Sequence, residues 1–165
     1  MEKVPAEEIH QRLKKFQTAL ATHNFDGAFL FQNVDIFYFS GTIQSSILFI
    51  PTQGAPVLMV QKGFQMLKEE CPLKNIIAVN GKSLLPGTLH DFGIRRIERV
   101  GIEMDVLPAQ LYLWLAETFP QCGFVDVSGL IRKQRMIKTL YELDQIRKAA
   151  TILHQGYMEI QGFIK

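Results

Sequence analysis

Two cysteines in 165 residues, Cys71 and Cys122, allow one disulfide at most. So sparing a use of cysteine excludes a disulfide-framed secreted scaffold, and both thiols are expected to be buried, reduced packing residues. Long apolar runs are missing too. None reaches the ~20 residues of a membrane span, and the start, MEKVPAEEIHQRLKK, is charged where a signal peptide would be apolar. A cytoplasmic protein without membrane contact is expected. An excess of one charge is also absent, the formal net charge being +2. The densest basic runs, Arg95-Arg96 with Arg99 and Arg132 to Lys138, are broken by apolar or acidic residues. They read as solvated helix flanks rather than a phosphate-tracking stripe, so no nucleic-acid partner is expected.

Signatures of chemistry are equally scarce. Neither GxGxxG nor GxxxxGK[ST] occurs, which removes the common phosphate cradles. HExxH, GxSxG and CxxC are missing. The four histidines, His10, His23, His90 and His154, have no partner at metal-ligand spacing. His90-Asp91 are neighbours, and neighbours in sequence usually point apart, so loop packing is the better reading. Ser45 and Ser46 precede an apolar strand with no visible base to activate them, and strand-edge hydrogen bonding is the default. No catalytic residue and no metal ligand is expected within these residues.

What the chain does have is material for a core: 47% hydrophobic residues, twelve of them Phe, against 21% charged. A disordered segment would reverse that balance. Ile9, Leu13, Phe16 and Leu20 recur at steps of four, three and four, one face of a helix that Pro5 opens and Asn24 closes. GAFLF (Gly27 to Phe31) is a short buried strand. Asn33 to Thr42 reads as a helical turn or irregular connection ending at Gly41. SSILFI and VLMV flank PTQGAP, a hairpin whose Gly54 supplies a positive φ.

Phe64 to Glu70 fits a helix, Asn75 to Val79 another buried strand, and Gly81 to Gly93 a weakly specified helix. Arg99 to Glu103 is a strand. Pro108 opens a helix bearing Leu111, Leu115 and Phe119, and Phe124 to Val127 is the last strand. Strands alternating with helices, plus one hairpin, predict an α/β three-layer sandwich: a mixed sheet with helices on both faces.

The far end is the best specified. Thr139 and Glu142 form a T-x-x-E capping box. After it, Leu143, Ile146, Ala150, Leu153, Tyr157 and Ile160 form an apolar stripe, with Asp144 and Lys148 four apart on an outer face. That stripe either folds back on the preceding sheet or belongs against protein outside these residues. Its place after a complete α/β unit favours the second.

Several strings occur together in a telling order: DGAFLF, NVDIFYFSGT, GAPVLMV, VGIEMD, VDVSGLI, and R-x-x-K-x-x-x-E-L from Arg135 to Leu143. This order resembles the amino-terminal domain of the creatinase/prolidase family over nearly the whole chain. The resemblance implies residues 1–127 as an α/β amino-terminal domain, 128–138 as a connector, and 139–165 as the first helix of a catalytic domain, with Lys165 a cut point.

It implies that a carboxy-terminal domain performs the hydrolysis, in the peptidases with two Asp, one His and two Glu holding two divalent ions (Mn, Co or Zn). Its partners would be that domain and a second copy of the chain, in a homodimer. It further implies that the aromatic before the Tyr of N-x-D-x-x-Y-F-[ST]-G, here Phe37, lines the neighbouring subunit's substrate pocket. Asn33, Asp35, Tyr38 and Gly41 would form the loop around it. The plain reading of Phe37 is an ordinary core aromatic, and of Asn33 and Asp35 local capping. The expected function is the non-catalytic domain of a Xaa-Pro aminopeptidase or dipeptidase. A creatinase-like hydrolase without metal and a free-standing interaction module remain alternatives.

Overall fold

The computed structural model describes residues 3–61, 64, 67, 71–79 and 85–163. The chain divides into two compact units, residues 1–132 and 133–165.

In the first unit, strands β1 (Gly27–Leu30), β2 (Ser46–Pro51), β3 (Val57–Val60), β4 (Asn75–Ala78), β5 (Arg99–Ile102) and β6 (Gly123–Asp126) form one sheet among the described residues. Its order is β4-β3-β2-β1-β5-β6. β2 runs antiparallel to β1 and β3, while β3–β4, β1–β5 and β5–β6 are parallel. The sheet is therefore mixed, as predicted, with β2–β3 as the hairpin. Gly54 takes φ 97° in its turn, a conformation that costs glycine little.

The period-two geometry of strands sorts the core onto two faces. In register, Phe29 sits opposite Phe49 and Phe49 opposite Val57, while Ile47 pairs with Met59. These residues cluster with Val100, Ile102, Leu85, Leu89 and Leu115, the last three from helices α3 (Leu85–Asp91) and α4 (Ala109–Thr118). Phe29 lies 4.7 Å from the ring of Phe49 and 5.8 Å from that of Phe119.

The alternate residues, Ala28, Leu30, Leu48, Ile50, Leu58 and Val60, are as deeply buried. Helices α1 (Ala6–Thr22) and α2 (Asn33–Ser40) pack against β1 and β2. The Ile9, Leu13, Phe16 and Leu20 stripe of α1 is the face it buries. Pro5 stands at its N-cap, Glu7 and Glu8 in its first turn, and Asn24 leaves it at φ 56°.

Several details differ from expectation. Asn75–Ala78 is half exposed rather than buried, because it is an edge strand. Residues 33–40 make a regular helix, not a loose turn. Cys122 is half-buried where a buried thiol was expected, and burial still lifts its pKa to about 11; Cys71 is buried, and both are free. Ser128–Met136 forms helix α5, a stretch for which the sequence specified no element. The helix expected over Phe64 to Glu70 lies mostly outside the described residues, as do residues 81–84 of the weak helix before Gly93.

In the second unit, α6 (Leu140–Phe163) begins at the capping box that the sequence specifies. The Thr139 N–H donates to Glu142 Oε2 at 2.9 Å, and the Glu142 N–H to Thr139 Oγ1 at 3.2 Å. Lys148 meets Asp144 at 3.0 Å.

Truncating a ring held in both cluster and sheet is expected to leave a cavity. Phe29→Ala should cost about 3–5 kcal/mol of stability in urea unfolding, whereas Val34→Ala, at an exposed position, should stay within about 0.5 kcal/mol.

Candidate functional site

The segment NVDIFYFS folds as α2, with its two faces in different surroundings. Ile36 and Phe39 are fully buried, and Phe39 stacks on Phe16 of α1 at 4.9 Å. Tyr38 is buried edge-on to Phe39. Asn33 and Val34 are exposed and Phe37 is half-buried. Residues 34, 37 and 41 fall three and four apart, on one side of the helix, which faces outward. Gly41 closes α2 in the left-handed region at φ 77°, its N–H donating to the Phe37 carbonyl at 2.8 Å.

Buried polar groups hold this helix from both ends. At its C-terminal end, Arg12 of α1 donates from Nη1 to the Tyr38 carbonyl at 3.0 Å and from Nε to Glu8 Oε1 at 2.9 Å. Its guanidinium lies 4.2 Å from the Tyr38 ring centroid. Arg12 and Glu8 are 6% and 8% exposed, so this ion pair is shielded from water. Ser40 Oγ donates to the Ile36 carbonyl at 2.6 Å.

At the N-terminal end stands Glu103, which directly follows β5 and is 1% exposed. Its Oε2 accepts the N–H groups of Phe31 (2.6 Å) and Gln32 (3.1 Å), where the chain passes from β1 into α2. Asp35, 5% exposed on the first turn of α2, brings its carboxyl beside the Glu103 side chain. Burial first, then the Asp35 carboxyl, push Glu103 up to about 8 against the two backbone donors, which oppose the shift.

The neighbouring strand end is also organised by carboxylates. Asp126, after β6, accepts the N–H groups of Ser128 (3.0 Å) and Met104 (3.2 Å). Desolvation pulls its pKa upward, but the Ser128 hydroxyl, these two N–H groups and nearby Arg132 hold it below the usual range. Arg132 pairs with Asp105. Met104, Val106 and Ile43 are exposed apolar residues of the 103–108 and 41–45 loops.

The structure thus gathers Asn33, Asp35, Phe37, Tyr38 and Gly41 on one helix and its cap, and divides them. Asp35 and Tyr38 point inward as anchors, whereas Asn33 and Phe37 lie toward solvent. Ser45 and Ser46 make local hydrogen bonds to Gln61 and to the Gln44 carbonyl. Among the described residues no group of three or more His, Cys, Asp or Glu could hold a metal ion. Glu103 and Asp35 do not form such a set, since one oxygen of Glu103 is occupied by backbone donors.

Sequence reasoning missed Glu103, Arg12 and Glu8. The signal for Arg12 was present: it falls three residues after Ile9 and four before Phe16, on the stripe that α1 buries. Glu103 offered less, a single acid closing an apolar strand.

The Creatinase/Prolidase N-terminal domain family matches residues 12–137. Among solved structures, a Xaa-Pro dipeptidase from Bacillus anthracis superposes with a TM-score of 0.82 at 20% identity, over 95% of this chain and 44% of its own. An X-Pro aminopeptidase from Thermotoga maritima gives 0.76 at 20% identity, over 86% and 42%. The N-terminal domain of the cytoplasmic peptidase PepQ from Mycobacterium tuberculosis gives 0.65 at 17% identity, over 75% of this chain and 98% of its own. At these identities the structural likeness concerns the fold. The chain spans less than half the length of the first two.

The Arg12 anchor makes a definite expectation. Arg12→Met removes the cation shared by Glu8 and the Tyr38 carbonyl and should cost about 3–5 kcal/mol in chemical unfolding. Adding Glu8→Gln should recover part of that loss, because the buried negative charge goes with it.

Proposed function

This chain belongs to the creatinase/prolidase family, as its amino-terminal domain, and from that premise we propose that it serves a metal-dependent Xaa-Pro peptidase by assembly and substrate access rather than by catalysis. The observation that carries the reading is α2. Its inward side is fixed by Arg12, Tyr38, Asp35 and Glu103, while Phe37 keeps an aromatic face toward solvent. A rigidly held, outward aromatic is suited to line a pocket that another subunit completes. Phe offers that pocket an apolar stacking surface and no hydrogen-bond donor.

The bond to be cut precedes proline. It is a tertiary amide without an N–H, so its recognition falls on apolar and shape contacts. Two divalent ions (Mn, Co or Zn), held by Asp, His and Glu of a carboxy-terminal domain, would supply hydroxide and stabilise the tetrahedral intermediate. No chemical step runs through the described residues of this chain. Its partners in this reading are that domain and a second copy of the chain in a homodimer, in the cytoplasm.

Two assays test the reading. The purified 165-residue chain should not hydrolyse Xaa-Pro peptides when Mn²⁺ or Co²⁺ is added, and turnover by it would contradict a non-catalytic role. In the enzyme carrying both halves, Phe37→Ala should lower kcat/KM for a Xaa-Pro substrate by about tenfold, the loss of ~1.4 kcal/mol of contact, with metal content unchanged. An unaltered kcat/KM would remove Phe37 from the pocket.

A further inference from the structure

We propose that Glu103 carries a proton in the folded chain, shares it with Asp35, and through this acid pair positions α2 against the end of β1. The geometry is unusual for an acid. Glu103 Oε2 is satisfied by the N–H groups of Phe31 and Gln32, but Oε1 is buried with no hydrogen-bond donor among the described residues. The group beside it is the carboxyl of Asp35, itself an acceptor when ionised.

Two ionised carboxylates side by side, both more than nine-tenths buried, would repel far more strongly than in water. One proton resolves both problems. It turns Oε1 into a donor and converts the repulsion into an O–H···O⁻ bond.

Several charged groups of the described residues stand around this pair. From the end of β1 come only backbone N–H groups. From α2 comes Asp35; the buried cation near that helix, Arg12, binds Glu8 and the Tyr38 carbonyl at its other end. Further along the Glu103 loop, Asp105 is engaged by Arg132, and Asp126 by the N–H groups of Met104 and Ser128.

Glu103 therefore bridges three pieces of chain: the end of β5, the exit of β1 and the first turn of α2. It acts through the backbone and Asp35, which makes it a positioning residue. The Phe37 role described above supplies the reason why position matters, but the proton itself does not depend on that role.

Site-resolved NMR on the 165-residue chain tests the proposal. The Glu103 carboxyl carbon should keep its protonated shift far above the ordinary value of 4.5 and titrate near 8. The amide signals of Asn33–Ser40 should move with the same midpoint. In Glu103→Gln, which keeps a donor and cannot ionise, those amides should hold their low-pH positions up to pH 9.

Stability gives the second readout. The folded chain keeps a proton that the unfolded chain releases, so wild-type stability should fall as pH rises from about 4.5 to about 8 and then level off. Glu103→Gln should lose that slope. A Glu103 carboxyl that titrates together with exposed glutamates would overturn the proposal, and so would α2 amides that shift alike in wild type and Gln variant. Should the Gln variant fail to fold, the wild-type carbon titration decides alone. None of these outcomes depends on peptidase activity, so a failure here is distinguishable from a failure of the proposed function.

Discussion

A sheet covered by helices on both faces has no room for unpaired polarity among its central strands. Every residue of β1 and β2 is buried. Burying a polar group there without a partner would cost several kcal/mol, so the polar groups that matter are driven to the strand ends. That constraint explains where Glu103, Asp126 and Ser128 sit. It also explains why the eight-residue helix at one such end is tied down by buried polar groups.

A helix as short as α2 does not hold itself together in water. Its order is tertiary: aromatic contacts with α1 along one side, an arginine on a late carbonyl, and a glycine cap closing the last turn. At the other end an acid gathers the two amides just before the helix begins. Charge, packing and turn chemistry thus converge on the same backbone. The outcome is a surface whose aromatic is presented by a fixed support rather than by a mobile loop.

Much of this was legible beforehand. The Ile9 to Leu20 stripe, the hairpin around Gly54 and the Thr139–Glu142 box are local patterns, and local patterns survive folding when tertiary demands agree with them. α2 was harder. NVDIFYFS has no clear amphipathic period, because its outward side carries apolar Val34 and Phe37 while Asp35 and Ser40 are buried, and the helix rule requires one polar face. The edge position of β4 was unreadable for another reason: strand order follows from long-range pairing, and a short apolar run looks alike at the centre and at the edge. By residue type Glu103 and Arg12 carried no signal of their own, because residues of their types usually lie at the surface. Only three-dimensional neighbours reveal that their heads are enclosed.

The helix Leu140–Phe163 carries Ile146, Ile152, Leu153, Tyr157 and Ile160 with much of their surface exposed. An apolar series of this length is suited to a protein partner, and in the proposed account that partner is a catalytic domain of the same polypeptide. The intact mass of the natural protein, isolated from its own cells, addresses this directly. The account expects a polypeptide well beyond these 165 residues. A natural product whose mass corresponds to Met1 through Lys165 and nothing more would contradict it.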